Sequence, residues 1–412
     1  MTENLNLVEA VDCDNDRSVD KLAPNQCTEA SDTHANERVH EERVEGDMEN
    51  LGEETDQLEM GASISREVIS TLEDFETVRD TWDQFKVDLM NSYSWNMLWW
   101  KAFQNQGDLR LLVFRLQEEV VGIAPFYVDR WFGLKRFRFL ASGDTCTDYV
   151  DVICDPKHYE LCADSLSEYI RGQKFDIVEL ECPKDGHLSA SLMPTLESEY
   201  DFDHRDVEPT WLLELPSEWT EFLSARRSSL RRKINKAARR LESGELLVAS
   251  TSEGLPIDTA LEVLKDLHTR RMNSTGKPGV FADPKFEEFL TNVVVEKAST
   301  GEVEIIVAST DGTPVGVQIY FDSSEGYQFY QSGYAPEAMK LEPGHLLFTE
   351  MVKRAIGRGD QRFDFLRGNE PYKEFWEAKP HSQKKLRMIR KALLPRAVAK
   401  IIETSRRMVR GA

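Results

Sequence analysis

The stretch VEIIVASTDGTPVGVQIYFD (303–322) reads as two apolar strands joined at a polar Asp-Gly turn. An earlier stretch, LRLLVFRLQEEVVGIAPFYV (109–128), has the same plan, and Val121-Gly122 answers Val315-Gly316 at an offset of 194 residues. The segments after each hairpin also correspond. KRFRFLAS and DYVDVICD follow the first, and GYQFYQSGY follows the second, all strand-like. Each copy then carries an amphipathic helix. In the first, Cys162, Leu166, Tyr169 and Ile170 share one face before Gly172. In the second, Leu347, Phe348, Met351, Val352, Ala355 and Ile356 do so before Gly357 and Gly359. Each copy closes with a strand, KFDIVEL or RFDFLRG. A hairpin, a third strand, a helix and a fourth strand, occurring twice, predict an α/β (α+β) chain of two similar mixed-sheet domains flanked by helices.

The totals agree. The chain has 412 residues, 40% of them hydrophobic, which suffices for two cores. A net charge of -22 argues against a general nucleic-acid binder. That charge is uneven. Residues 1–60 hold 18 acidic and 4 basic side chains and no Phe, Trp or Tyr, so a disordered acidic tail is expected there. Residues 384–412 hold ten basic and one acidic side chain, with Leu394, Val398, Ile401 and Ile402 in a stripe, a basic amphipathic tail suited to a membrane surface or to the acidic body. Between the copies, residues 226–240 carry eight Arg/Lys and no acid, on a helix whose apolar stripe is Leu230, Ile234, Ala237 and Leu241. The expected organisation is a tail (1–60), a first domain (61–210), a basic connecting helix (211–250), a second domain (251–383) and a basic tail (384–412).

None of the six cysteines forms a C-x-x-C pair, so neither a disulfide framework nor a metal site is expected. The longest apolar run, VVGIAPFYV, falls well short of the roughly 20 residues of a membrane span. With no signal-peptide pattern at the N-terminus, a soluble cytoplasmic location is expected.

Three constellations could carry chemistry. A helix starts near Pro343-Gly344, and unpaired N–H groups at a helix start can seat a phosphate. In FDFLRGNEPYKEFW (363–376), Asp364 or Glu370 could act as base or amine anchor, Tyr372 as proton donor and Lys373 as anion anchor. In LHTRRMNSTGKPGVFADPKF, His268 and Arg271 lie at a helix end; a lone histidine there also reads as a structural hydrogen-bonder.

Together, LHTRR…GKPGVFADPKF, DGTPVGVQIYF, FYQSGYAP, EPGHLLFTEMV and FDFLRGNEPYKEFW resemble the acyltransferase family of the CelD cellulose-biosynthesis protein. That is a branch of the GNAT superfamily, similar to FemAB peptidyltransferases in having tandem GNAT-like domains. The resemblance covers about residues 68–395 and is most specific in the second copy. It implies an acetyltransferase using acetyl-CoA as co-substrate, acting on an amine or hydroxyl of a small molecule or cell-envelope saccharide. It places the CoA pyrophosphate at Gly344 and His345 and the pantetheine arm along Gln331, Ser332 and Gly333. Asp364, Arg367, Tyr372 and Lys373 would face the reacting centre. Glu370 and Trp376 would belong to the substrate wall, with His268 and Arg271 on the acceptor side. Alternatives are FemAB-like aminoacyl transfer from aminoacyl-tRNA, and a non-catalytic subunit of a polysaccharide-synthesis assembly. An enzyme of envelope polysaccharide synthesis could also sit peripherally at the inner membrane surface.

Overall fold

A computed structural model describes residues 64–410, apart from 86–87, 105–106, 144–146 and 182–186. The expected acidic tail, 1–60, lies outside the described residues.

The first copy runs β1 (Ile64–Ile69), α1 (Leu72–Glu76), α2 (Arg79–Trp82), α3 (Tyr93–Phe103), β2 (Asp108–Leu116), β3 (Glu119–Trp131), β4 (Leu134–Phe139), β5 (Ile153–Cys154), α4 (Tyr159–Gln173), β6 (Ile177–Glu181), α5 (His187–Leu196) and β7 (Tyr200–Glu214). Helices α6 (Trp219–Ala225) and α7 (Ser228–Glu242) connect the copies. The second copy runs β8 (Leu247–Ser250), α8 (Ile257–Ser274), α9 (Pro284–Ala298), β9 (Val303–Thr310), β10 (Thr313–Ser323), β11 (Gly326–Tyr334), α10 (Pro343–Arg358), β12 (Arg362–Arg367), α11 (Pro371–Phe375) and β13 (Lys379–Arg390). Helix α12 (Leu393–Arg410) follows.

The repeat is physical. In the β2–β3 hairpin Phe114 faces Gly122 and Arg115 faces Val120, so Val121 bulges. In the β9–β10 hairpin Ala308 faces Gly316 and Ser309 faces Pro314, so Val315 bulges at the matching position. Both following glycines leave room for what packs above them. A Cβ on Gly122 would lie 2.7 Å from the Cβ of Cys154 and 2.8 Å from Sγ of Cys162; one on Gly316 would lie 2.7 Å from the Cβ of Pro343.

All described strands join one 13-stranded sheet, ordered β1-β2-β3-β4-β6-β13-β7-β12-β11-β10-β9-β8, with β5 paired to β3. The order mirrors about its middle, with one exchange. The last strand of the second copy, β13, lies beside β6 of the first, and the last strand of the first, β7, lies beside β12 of the second. Strands β7 and β13 pair with each other from Lys379 opposite Leu212 to Arg390 opposite Tyr200. The expected boundaries at 210/211 and 383/384 therefore fall inside strands. Residues 384–390 belong to a central strand, and the helix expected in the basic tail begins only at Leu393. Burial explains this: Leu386 and Met388 pack with Phe126, Phe137, Leu166 and Leu180 in the first copy's core. The connecting segment likewise divides into two helices at Arg226, with Leu230, Ile234 and Ala237 buried as their spacing predicts.

Candidate active site

Strands β11 and β12 run parallel but share one ladder position, Gln328 with Asp364, and then part towards their C-terminal ends. A bulge at Tyr330, between Gln331 opposite Ile319 and Phe329 opposite Tyr320, bends β11 at the same level. Two clusters flank this parting.

The first lies where β11 leads into α10. Glu342 takes a left-handed conformation (φ 55°), and Pro343 and Gly344 open the helix. A Cβ on Gly344 would stand 3.1 Å from the ring of Tyr334, so glycine lets that ring pack against the helix start. The basic face of α7 borders it. Lys233 and Lys236 (2.9 Å) ion-pair with Glu342, and Arg240 donates to the Leu341 carbonyl. Burial opposes ionisation of Glu342, but the two lysine hydrogen bonds prevail and hold its pKa down at about 2. The His345 ring lies tilted against those of Phe375 (5.1 Å) and Trp376 (6.1 Å). Burial, then the Lys233 charge, depress its pKa to about 4, so the ring is neutral near pH 7. Its Nδ1 and the Nε1 of buried Trp376 have no hydrogen-bond partner among the described residues. The Arg271 guanidinium lies 5.0 Å over the Tyr334 ring and makes no ion pair among the described residues. Tyr334 is fixed in turn, its hydroxyl accepting from Nε2 of buried Gln318 at 2.6 Å.

The second cluster closes β12. Asp364 is buried; its Oδ2 accepts from the Tyr149 hydroxyl at 2.8 Å and its Oδ1 from the Leu366 N–H at 2.7 Å. Burial dominates and raises its pKa to about 7, against those two hydrogen bonds. Asp148, 2% exposed, accepts from the Arg367 N–H at 2.9 Å and pairs with Nε of Arg367 at 3.1 Å. Its pKa too is pushed up by burial, with Arg367 opposing. Leu366 (φ 55°) and Gly368 (φ 140°) turn the chain sharply out of the strand. Lys373, 1% exposed, holds that turn by donating to the carbonyls of Leu366 (3.1 Å) and Arg367 (2.8 Å) and pairing with Glu370 (3.0 Å). Trp211 Nε1 donates to the Gly368 carbonyl at 2.7 Å from the other side.

The remaining expected residues take recognisable places. Tyr372 stacks on Phe348 at 5.3 Å, and burial, then Glu370, push its hydroxyl pKa well up. His268 uses both ring nitrogens on backbone: Nδ1 lies 3.0 Å from the Ser332 carbonyl, and Nε2 accepts from the Val280 N–H at 3.3 Å. Gly333 is a packing contact, since a Cβ there would lie 2.4 Å from the His268 nitrogen on α8. Gln331 spends its Oε1 on the Ser332 N–H at 2.9 Å. Sequence reasoning missed Asp148 and Tyr149. They sit in DYVDVICD, read as a plain strand, and the signal was the pair of polar groups opening that run. It also left the α7 lysines unconnected to the α10 start.

Residues 224–374 match the family model described as Acetyltransferase (GNAT) domain. The matched segment, somewhat over a third of the chain, is similar to that acetyltransferase domain. The chain is thus an acyltransferase, and both clusters belong largely to the GNAT-matched segment, with Asp148 and Tyr149 reaching in from the first copy. Among solved structures it is similar to FemX, at 13% identity over 82% of this chain and 100% of that one, with a TM-score of 0.57. It is also similar to the C-terminal domain (DUF2156) of a putative lysylphosphatidylglycerol synthetase from Agrobacterium fabrum, at 10% identity over 81% and 96% of the two chains, with a TM-score of 0.51. At these identities the likeness is one of fold, and its coverage spans both copies of the repeat. No curated protein matches the chain.

Proposed function

We propose that this acyltransferase moves an acetyl group from acetyl-CoA to an amine or hydroxyl of a small molecule or cell-envelope saccharide. The observation that carries the reading is the parting of β11 and β12 beside a helix start that is bordered by Lys233, Lys236 and an Arg271 without an ion pair. The α10 start offers N–H groups and a positive dipole end to phosphate, and the two lysines can release Glu342 to a stronger anion. The unsatisfied Nδ1 of His345 and Nε1 of Trp376 offer further polar contacts at the same place.

Acetyl-CoA supplies a preactivated acyl thioester, so the protein's task is alignment and proton handling. Asp364, with a pKa near 7, is the base. It takes the proton lost by the acceptor nitrogen or oxygen as the new bond to the acyl carbon forms; the carbon–sulfur bond breaks with CoA leaving as a thiolate, and the proton passes on to that sulfur, which restores the carboxylate. Tyr149 positions that carboxylate, and Asp148 fixes Arg367 beside it. Lys373 and His268 act on backbone, holding the β12 turn and the β11 edge. Arg271 holds an anionic group of the donor or acceptor. The saccharide acceptor rests on the resemblance of the second-copy motifs to the CelD group.

A second reading is favoured by the exposed Arg232 and Arg239 of α7, which have no carboxylate partner among the described residues. They could follow the phosphates of an aminoacyl-tRNA donor. Calorimetry with acetyl-CoA separates the two. One site per chain is expected, with affinity falling at least tenfold in Lys233→Ala/Lys236→Ala. Mass spectrometry of a metabolite mixture incubated with acetyl-CoA then identifies the acceptor. No CoA binding, with turnover only in the presence of charged tRNA, overturns the first reading.

A further inference from the structure

The last helix turns apolar side chains away from the body. Leu393, Leu394 and Ile401 of α12 are 92%, 65% and 65% exposed. The helix start is nonetheless firmly held. Pro395 is buried, Arg396 makes a bidentate ion pair with Asp201 (2.6 and 2.8 Å), and the Lys391 N–H just before it donates to the Glu199 carbonyl at 2.7 Å. Packing against the acidic body, the alternative for a basic tail, would cover the apolar stripe; Val398 is half-buried, but Leu394 and Ile401 on the same side stay exposed. Helical periodicity puts positions 394, 398, 401 and 402 (Leu, Val, Ile and Ile) on one side, with 408 and 409 (Met and Val) in register further on. The opposite arc receives the Arg or Lys positions 396, 400, 406, 407 and 410 together with position 403 (Glu), and Arg396 within it is already held by Asp201. The helix thus carries five basic residues and one acidic, in a chain of net charge -22.

We propose that α12 lies on an anionic lipid surface, its apolar side at the acyl boundary and the basic residues that follow Arg396 against lipid phosphates. The division into an exposed apolar side and a basic arc is the pattern of an interfacial helix. The sign of its charge selects acidic lipid. It also disfavours pairing with α12 of a second copy, since the two would carry like charge. No helix among the described residues is long and apolar enough to cross a membrane, so the contact is in-plane, over about 27 Å at 1.5 Å per residue. This inference stands apart from the choice of acyl donor.

Vesicle flotation tests it with the full chain, using phosphatidylglycerol/phosphatidylcholine vesicles beside pure phosphatidylcholine. The parent should float with the anionic vesicles at low salt and detach as salt rises. Leu394→Glu/Ile401→Glu should lower the bound fraction at least tenfold, as should a chain ending at Lys391, which keeps all of β13. Acetyl-CoA binding should be the same in all three proteins, so failure here is distinguishable from failure of the proposed function. Absence of flotation, equal flotation on pure phosphatidylcholine, equal flotation without the helix, or concentration-dependent self-association that the double substitution abolishes would each overturn the proposal.

Discussion

Replacing Asp364 by Asn should make the protein more stable above neutral pH while removing most of its activity. The buried carboxyl has a pKa of about 7, against an ordinary 3.8. The native state therefore holds a proton that the unfolded chain has lost between those values. Stability referable to this group is complete below about pH 4, declines as pH rises and levels off above about pH 7. A shift of about three units corresponds to about 4 kcal/mol, an upper figure for so buried a site. Asn keeps the shape, can still accept from Leu366, and carries no charge to bury. Denaturant titrations of parent and variant at pH 5 and pH 8 measure the effect: the variant's advantage should grow by a few kcal/mol between the two. Turnover gives the complement. If the ionised form is the base, the parent's kcat/KM should rise about tenfold from pH 6 to pH 8, following ionisation at about 7. Asp364→Asn should lose about 10²-fold or more and show no such rise. A stability difference independent of pH would refute the burial argument. Full activity in the variant would refute the role as base.

Tyr149→Phe removes a hydrogen bond that favours the Asp364 carboxylate, so the midpoint of the pH–activity profile should move upward while the fold persists. An unmoved midpoint would separate Tyr149 from proton handling. Lys373→Met strands two buried carbonyls at the β12 turn and should cost about 2–4 kcal/mol of stability, read by denaturant titration. Unchanged stability with selective loss of turnover would instead make Lys373 a contact to substrate.

The repeat was legible because it is local. Val121 and Val315 lie in short hairpins whose turns and alternation show in a window of some twenty residues. The exchange of β7 and β13 was not. Strand pattern tells which side chains are buried but not which distant strand lies alongside. YDFDHRDVEPTWLLE (200–214), with its many polar residues, gave no sign of a central strand. The site divides in the same way. Asp364, Arg367, Tyr372 and Lys373 stood out as a dense cluster within 14 residues, whereas Tyr149 reaches Asp364 across 215 positions, beyond any spacing rule. Roles were harder to read than places. Lys373 was read as an anion anchor and His268 either as an acceptor-side group or as a structural hydrogen-bonder, and the hydrogen-bond geometry has both on backbone.

The exchanged strands also set a timetable for synthesis. After β6 leaves the ribosome, its neighbour β13 is still about 200 residues from being made, a wait of about 10–40 s at 5–20 residues per second. Throughout that time the hydrogen-bonding edge of β6 is open, and the first copy's core lacks Leu386 and Met388. A nascent chain interrupted anywhere before residue 379 cannot complete the first half, and β7, though it can pair β12, keeps its other edge open until β13 arrives. Both halves therefore complete their sheets late and together, and a ribosome stalled in the second copy presents an unpaired strand for chaperones or proteases to find.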